Sequence, residues 1–160
     1  MSEIDNLKKN NKKIIAVCAS LSFYKDLFEI ENTLKKLGYV VLLPKTAHSM
    51  KKSGNFDVAA HKTWFQNKSD YKKKTALMDD HFKKILRSDA ILVVNNEKNG
   101  IKGYIGGNVL MEMTVAYMKN LPIYLWNNID EKSPFEEEIR AMNCVFLNQD
   151  LSKIKLRSRR

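Results

Sequence analysis

Short, continuous apolar runs recur along this chain, and segments with the 3.6-residue apolar spacing of helices separate them. The runs are rich in β-branched residues, which is typical of strands that are buried on both faces. Strands that alternate with helices predict a parallel sheet covered by helices on both sides. The predicted strands are Lys13–Ala19, Tyr39–Leu43, Ala90–Asn95, Ile123–Trp126 and Cys144–Leu147.

The helical segments between these runs complete the fold prediction. Gly38 follows the first of them as a C-terminal cap, and the segment Lys45–Lys68 is expected to be loop with room for one short helix. The chain is therefore predicted to be a single α/β domain with a doubly wound, Rossmann- or flavodoxin-like sheet of about five mainly parallel strands. The predicted helices are Phe23–Leu37, Ser69–Arg87, Asn108–Lys119 and Pro134–Met142.

The charge of the chain is concentrated in three segments. The sequence has 28 Lys and Arg residues against 18 Asp and Glu residues, a net charge of +10. Leu151–Arg160 carries +5, His61–Lys74 carries +4 and residues 1–13 carry +2, so the remainder is nearly neutral. Solvated surface is the simpler interpretation, because no basic and aromatic interleaving accompanies these segments. Nucleic-acid binding stays open as a less favoured alternative.

The remaining composition limits the classes of protein to consider. We expect a polar N-terminal extension over 1–12, one domain over 13–150 and a basic C-terminal tail over 151–160. No apolar run reaches membrane-spanning length and the N-terminus is not signal-like, so a cytoplasmic protein without a membrane partner is expected. Cys18 and Cys144 are far apart and lack CxxC spacing, which predicts neither a zinc site nor a disulfide framework.

The loop after the third predicted strand is the most informative candidate site. In parallel sheets, ligands bind beyond the carboxyl ends of the strands. Here Gly106, Gly107 and Asn108 directly precede a helix, whose free N–H groups could receive a phosphate. The alternative is an ordinary helix start with Asn108 as the N-cap.

Glu112 is the candidate catalytic residue. Its neighbours on the predicted helix are mostly apolar, so its carboxylate is expected to be buried, which is costly unless the group is paired or used. Asn108 lies four residues earlier and shares its helix face. The alternative is a Glu that caps the exposed N–H groups of its own helix.

Several spaced motifs resemble one family. The segments VCAS (Val17–Ser20), SDAILVVN (Ser88–Asn95) and GGNVLMEMTVAY (Gly106–Tyr117) look like the nucleoside 2-deoxyribosyltransferases, a family that includes the 2′-deoxynucleoside 5′-phosphate N-hydrolases. The resemblance covers about residues 13–150. It implies that Glu112 is the nucleophile that attacks the anomeric carbon of the deoxyribose. It also implies that Asp89 orients the sugar or protonates the leaving base, although Asp89 begins its predicted strand and so lies at the opposite end of the sheet.

The resemblance also assigns binding residues and shows departures. A second family Asp is replaced here by His81, and the glycines that flank the family nucleophile are replaced by Leu110 and Thr114. The implied substrate-binding residues are Cys18, Ala19, Ser20 and Ser22 after the first strand, His81 on the preceding helix, and Gly106, Gly107 and Asn108 in the glycine loop.

The expected function is that of an enzyme acting on the N-glycosidic bond of a 2′-deoxynucleoside or its 5′-monophosphate, by base transfer or hydrolysis through a covalent glycosyl-enzyme. No metal or other cofactor is expected. The resemblance implies a small-molecule nucleoside or nucleotide as the ligand and a homodimer or larger homo-oligomer. The first alternative is a catalytically silent nucleotide sensor, which the His81, Leu110 and Thr114 departures favour.

Overall fold

The computed structural model describes residues 12–156, and its five strands form one sheet in which all neighbours are parallel. The strands are β1 (Ile14–Ala19), β2 (Val40–Leu42), β3 (Ala90–Val94), β4 (Ile123–Leu125) and β5 (Val145–Phe146). Their order across the sheet is β2-β1-β3-β4-β5. The predicted α/β fold with a parallel sheet is confirmed, and each strand lies within one of the predicted runs.

The helices are α1 (Leu27–Lys36), α2 (Lys45–Ser53), α3 (Val58–His61), α4 (Tyr71–Arg87), α5 (Gly107–Met118) and α6 (Glu136–Ala141). A 3-10 helix over Leu21–Asp26 precedes α1, so the first predicted helix begins in a tighter form. Gly38 adopts φ 91° just after α1, as expected of a C-terminal cap. Further 3-10 turns cover Thr63–Phe65, Lys68–Asp70 and Leu151–Lys153.

The segment Lys45–Lys68 contains more regular structure than the sequence predicts. It forms α2 and α3 as well as a 3-10 turn, whereas the sequence predicts one short helix. The sequence signal is weak because α2 buries only Ala47 and Met50, and α3 buries no residue. Local capping supports α3, since Asp57 accepts a hydrogen bond from the backbone N–H of Ala59.

Two hydrophobic cores lie on the two faces of the sheet. Alternate residues of a strand point to opposite faces, so Val17 enters one core and Cys18 the other. The first core contains α1, α2 and the segment after β5, and the second contains apolar side chains of α4, α5 and α6. A helix layer on each face is the doubly wound arrangement, and it fixes α4 and α5 side by side on one face.

The segment after β5 packs on the domain. Leu151 and Ile154 are buried in the first core, and the hydroxyl groups of Tyr39 and Tyr124 donate to the backbone carbonyls of Ile154 and Lys155. The expected basic tail over 151–160 therefore begins with residues that close one side of the core. Residues 157–160, and residues 1–11 of the expected N-terminal extension, lie outside the described part of the chain.

Within residues 12–156, no helix combines the length and the apolar composition needed to cross a bilayer.

Candidate active site

A pocket lies beyond the carboxyl ends of β1 and β3, where the strand order reverses direction. In a doubly wound sheet this crevice is the usual ligand site. The pocket encloses about 190 Å³. Its walls come from the segments that follow β1, β2 and β3, the 3-10 turn at Thr63–Phe65, the part of α4 between Lys74 and His81, and the first half of α5.

Glu112 lies in the wall of this pocket, in the second turn of α5. Its side chain is 7% exposed, and its Oε1 accepts a hydrogen bond from Asn108 Nδ2 at 2.8 Å. Its Oε2 is buried and has no hydrogen-bond partner among the described residues. Burial raises the pKa of Glu112 to about 7, although the Cys18 thiol, the Lys74 charge and the Asn108 amide each act to lower it. The carboxyl group is thus poised between its acid and its ionised form near neutral pH.

Lys74 holds Asn108 in the orientation that serves Glu112. The Lys74 ammonium donates to Asn108 Oδ1 at 2.6 Å, and a lysine can only donate. The Asn108 amide nitrogen must then face the carboxylate, and it does. Burial lowers the pKa of Lys74, the Glu112 charge raises it, and neighbouring Lys62 lowers it further. A three-residue chain thus connects α4, the start of α5 and the candidate nucleophile.

His81 and Cys18 lie behind the carboxylate. His81 is 4% exposed, and its Nε2 lies 3.9 Å from Glu112 Oε2 and 3.6 Å from Cys18 Sγ. Burial lowers the pKa of His81 to about 4, helped by the charge of Lys84, so the imidazole is neutral at pH 7. Burial also raises the pKa of the Cys18 thiol well above its usual value, and the Glu112 charge adds to this. Both groups are therefore neutral at pH 7, and neither forms a charged pair with Glu112.

Cations and aromatic rings line the mouth of the pocket. Lys98 donates to Ser20 Oγ at 3.1 Å and its ammonium lies 5.1 Å from the centre of the Tyr104 ring. Lys74 lies 5.8 Å from the centre of the Trp64 ring. Burial lowers the pKa of Lys62, and the charge of Lys98 adds to this. Several lysines in one pocket produce a local positive potential, which attracts an anionic ligand.

The glycine loop brings the N-terminus of α5 to the same pocket. Gly106 occupies the N-cap position and provides no side-chain cap, so the first N–H groups of the helix are available to a ligand. A Cβ at Gly106 would lie 3.2 Å from Tyr104 Oη, whereas a Cβ at Gly107 would have open space around it. Asn95 is fully buried and joins the carboxyl ends of β3 and β4, since it donates to the Asn127 carbonyl at 2.9 Å and accepts from the Asn127 N–H at 2.8 Å.

Most of the residues that the sequence analysis selects are brought together here. Cys18 lies behind the pocket in contact with His81, and Ser22 is exposed and is not part of the pocket wall. Asn108 and Glu112 share one helix face as predicted. The predicted residues that line the pocket are Ala19, Ser20, His81, Gly106, Gly107, Asn108 and Glu112.

Asp89 is not among them, so the structure does not bring it together with the other predicted site residues. Asp89 precedes β3 and so lies at the amino-terminal edge of the sheet, opposite the pocket. Its Oδ2 accepts from the Ile14 backbone N–H at 2.9 Å, and its Oδ1 lies 3.6 Å from Lys13 Nζ. In this position Asp89 joins the start of β1 to the start of β3, and the role that the family resemblance implies for it stays a prediction.

Several residues of the pocket wall are not predicted from the sequence. The basic segment His61–Lys74 is expected to be solvated surface, yet two of its lysines face the pocket. Trp64 lies in the same segment and is only 5% exposed. A tryptophan among these lysines is the feature of the sequence that could have indicated a partly buried segment. The missed lining residues with aromatic or basic side chains are Tyr24, Lys45, Lys62, Trp64, Lys74, Lys98 and Tyr104.

In comparisons with known proteins, no family model matches the chain and no curated protein matches its sequence.

Proposed function

We propose that this chain is an enzyme that cleaves the N-glycosidic bond of a 2′-deoxynucleoside 5′-monophosphate, with Glu112 as the nucleophile. The observation that carries the proposal is a buried carboxylate with one unpartnered oxygen, facing a pocket of lysines and aromatic rings. Such a pocket offers each part of a deoxynucleotide a suitable surface. Aromatic rings suit the base, cations and a helix N-terminus suit the phosphate, and the carboxylate suits the anomeric carbon.

The chemistry follows from the free oxygen of Glu112. Asn108 occupies Oε1, so Oε2 is the atom that would attack C1′ as the C1′–N bond breaks. The electron pair of that bond leaves with the base, which takes a proton from water. Water then hydrolyses the glycosyl ester, or a second base attacks C1′ in its place, and Glu112 is regenerated. A deoxyribosyl cation forms more easily than a ribosyl cation, because no electron-withdrawing 2′-OH is present.

Among the described residues no charged side chain pairs directly with Glu112, which suits a nucleophile. His81 is neutral near pH 7, so it does not pair with the carboxylate and leaves Oε2 free. Lys74 reaches Glu112 through Asn108 and favours its ionised form. The active form of the enzyme has Glu112 ionised, so base release is expected to rise with pH through about 7.

A base-release screen tests the proposal. The purified chain is incubated with each common deoxynucleoside and its 5′-monophosphate, with and without an acceptor base, and free base and new nucleosides are measured by mass spectrometry. Release from monophosphates and not from nucleosides supports the proposal, and Glu112→Gln must remove it while circular dichroism is unchanged. Absence of release from every substrate would contradict it.

A nucleotide sensor without turnover is the second candidate. Glu112 is the only acidic side chain in the pocket wall over residues 12–156, so no second carboxyl group is present to protonate a leaving base. A sensor would show a higher melting temperature with a deoxynucleoside monophosphate and no base release, in both the wild type and Glu112→Gln. The same screen therefore separates the two candidates.

A further inference from the structure

Three side chains that could bind a metal converge behind the pocket. Cys18 is on β1, His81 is on α4 and Glu112 is on α5, and all three are buried. Their ligand atoms lie within 4.8 Å of one another. The same nitrogen, His81 Nε2, lies 3.6 Å from the sulfur and 3.9 Å from Glu112 Oε2. The three donor atoms thus form one compact, buried cluster.

The two separations that involve His81 Nε2 are close to those of a tetrahedral zinc site. Zinc binds sulfur at about 2.3 Å and nitrogen or oxygen at about 2.0–2.2 Å, which places neighbouring ligand atoms roughly 3.3–3.6 Å apart. The sulfur–nitrogen distance already fits this range. The nitrogen–oxygen distance needs only a small movement of the Glu112 carboxylate toward His81.

Glu112 Oε2 is a second and independent indication of a ligand. It is a buried polar atom without a hydrogen-bond partner among the described residues, and such atoms are uncommon. Because Asn108 already occupies Oε1, the free oxygen on the His81 side would bind a metal as a single donor. The mixture of sulfur, imidazole nitrogen and carboxylate oxygen suits zinc better than it suits magnesium or calcium.

We propose that Cys18 Sγ, His81 Nε2 and Glu112 Oε2 bind one zinc ion, whose fourth coordination position faces the pocket. His81 and Glu112 both line the pocket whereas Cys18 lies behind it, so the pocket is the side on which the fourth position is open. Zinc replaces the proton of the Cys18 thiol, and the thiolate and carboxylate together balance its two charges. The site is therefore neutral beside the Lys74 ammonium. Spacing in the sequence predicts no such site, since these ligands come from three separate elements.

Zinc at this site and a glycosyl ester on Glu112 exclude each other, because both use Oε2. If the proposed function holds, zinc inhibits base release and a chelator restores it. The metal site itself does not rest on that function, because its binding is measured directly below.

Cobalt titration of the full-length, metal-free protein tests the site. Cobalt(II) is the probe, and a thiolate-to-cobalt charge-transfer band in the ultraviolet and tetrahedral d–d bands in the visible report the ligands. We expect one cobalt per chain, displaced by one equivalent of zinc. Cys18→Ser should remove the charge-transfer band and weaken zinc binding about 100-fold or more. Cys144→Ser is the matched control and should change neither, because Cys144 is outside this cluster.

Two results would overturn the proposal: no charge-transfer band in the wild type, or the same band in Cys18→Ser. If Cys18→Ser does not fold, Glu112→Gln provides the second variant. It should keep the sulfur band and bind zinc at least about 10-fold more weakly, and an unchanged affinity would contradict the role of Glu112. Base release without metal binding leaves the proposed function standing alone, and metal binding without base release leaves only the zinc site.

Discussion

Two carboxylates lie at opposite edges of the same sheet, and their surroundings differ in kind. Asp89 at the amino-terminal edge has a backbone donor and a lysine within reach of its two oxygens. Glu112 at the carboxyl-terminal edge has one satisfied oxygen and one without a partner among the described residues, and burial raises its pKa to about 7. The first arrangement stabilises the fold, whereas the second costs stability and leaves an atom available for chemistry or for a metal.

Glu112→Gln should have the largest effect on base release. Loss of the nucleophile should reduce base release by about 1000-fold or more, because the amide cannot form the glycosyl ester. The fold should be retained, since Gln can still accept the hydrogen bond from Asn108. Single-turnover assays with a mass readout measure the rate, and residual release above about a tenth of the wild-type rate would exclude Glu112 as the nucleophile.

The same variant should change how stability depends on pH. The pKa of the Glu112 carboxyl group rises from 4.5 in the unfolded chain to about 7 in the folded protein, so folding takes up a proton between these values. Its contribution to stability is therefore present below about pH 4.5 and is lost as pH rises through 7. The free energy of unfolding of Glu112→Gln minus that of the wild type should increase by about 3 kcal/mol between pH 4.5 and 7. Urea unfolding at a series of pH values measures this difference.

The titration of His81 is the reason for comparing Glu112→Gln with the wild type rather than measuring the wild type alone. Its pKa falls from 6.5 to about 4 on folding, so its contribution to stability is lost as pH falls from 6.5 through 4. Between pH 4.5 and 6.5, rising pH lowers the stability contributed by Glu112 and raises the stability contributed by His81. The two changes largely cancel in the wild type, whose stability would therefore depend little on pH in this range. A difference that stays flat across the whole range would mean that Glu112 ionises normally.

Lys74→Met removes the ammonium group that donates a hydrogen bond to Asn108. The Lys74 charge lowers the pKa of Glu112, so its loss should move the rise of base release to higher pH and reduce the rate at pH 7 about 10-fold. The matched control is Lys73→Met, because Lys73 is exposed and pairs with Asp70 instead. A pH profile that is unchanged in Lys74→Met would remove Lys74 from the positioning of Glu112.

Asp89→Asn should have the smallest effect on activity. The loss of the charge should lower the free energy of unfolding by about 1 kcal/mol, because the Ile14 N–H and Lys13 both face Asp89. Base release should stay within about twofold of the wild type. A large loss of activity with unchanged stability would contradict a purely structural role for Asp89. It would support the role that the family resemblance implies for this residue.

The sheet and the position of Glu112 can be predicted because their signals are local. Continuous apolar runs mark buried strands, and the four-residue spacing of Asn108 and Glu112 places them on one helix face. The Lys74–Asn108 hydrogen bond and the convergence of Cys18 with His81 cannot be predicted, because each joins residues of separate elements. The sequence shows that Lys74 is charged, but the orientation of its side chain toward Asn108 depends on how α4 packs beside α5.

The packing of Leu151 and Ile154 has a consequence for synthesis on the ribosome. The first core includes side chains from β1, α1 and β4, but its outer side is closed by these late residues. A nascent chain that has emerged only through β5 would still expose the apolar surface that they cover. Stable folding of this domain is therefore expected only after residue 156 leaves the exit tunnel, which makes stalled or shortened chains targets for chaperones and proteases.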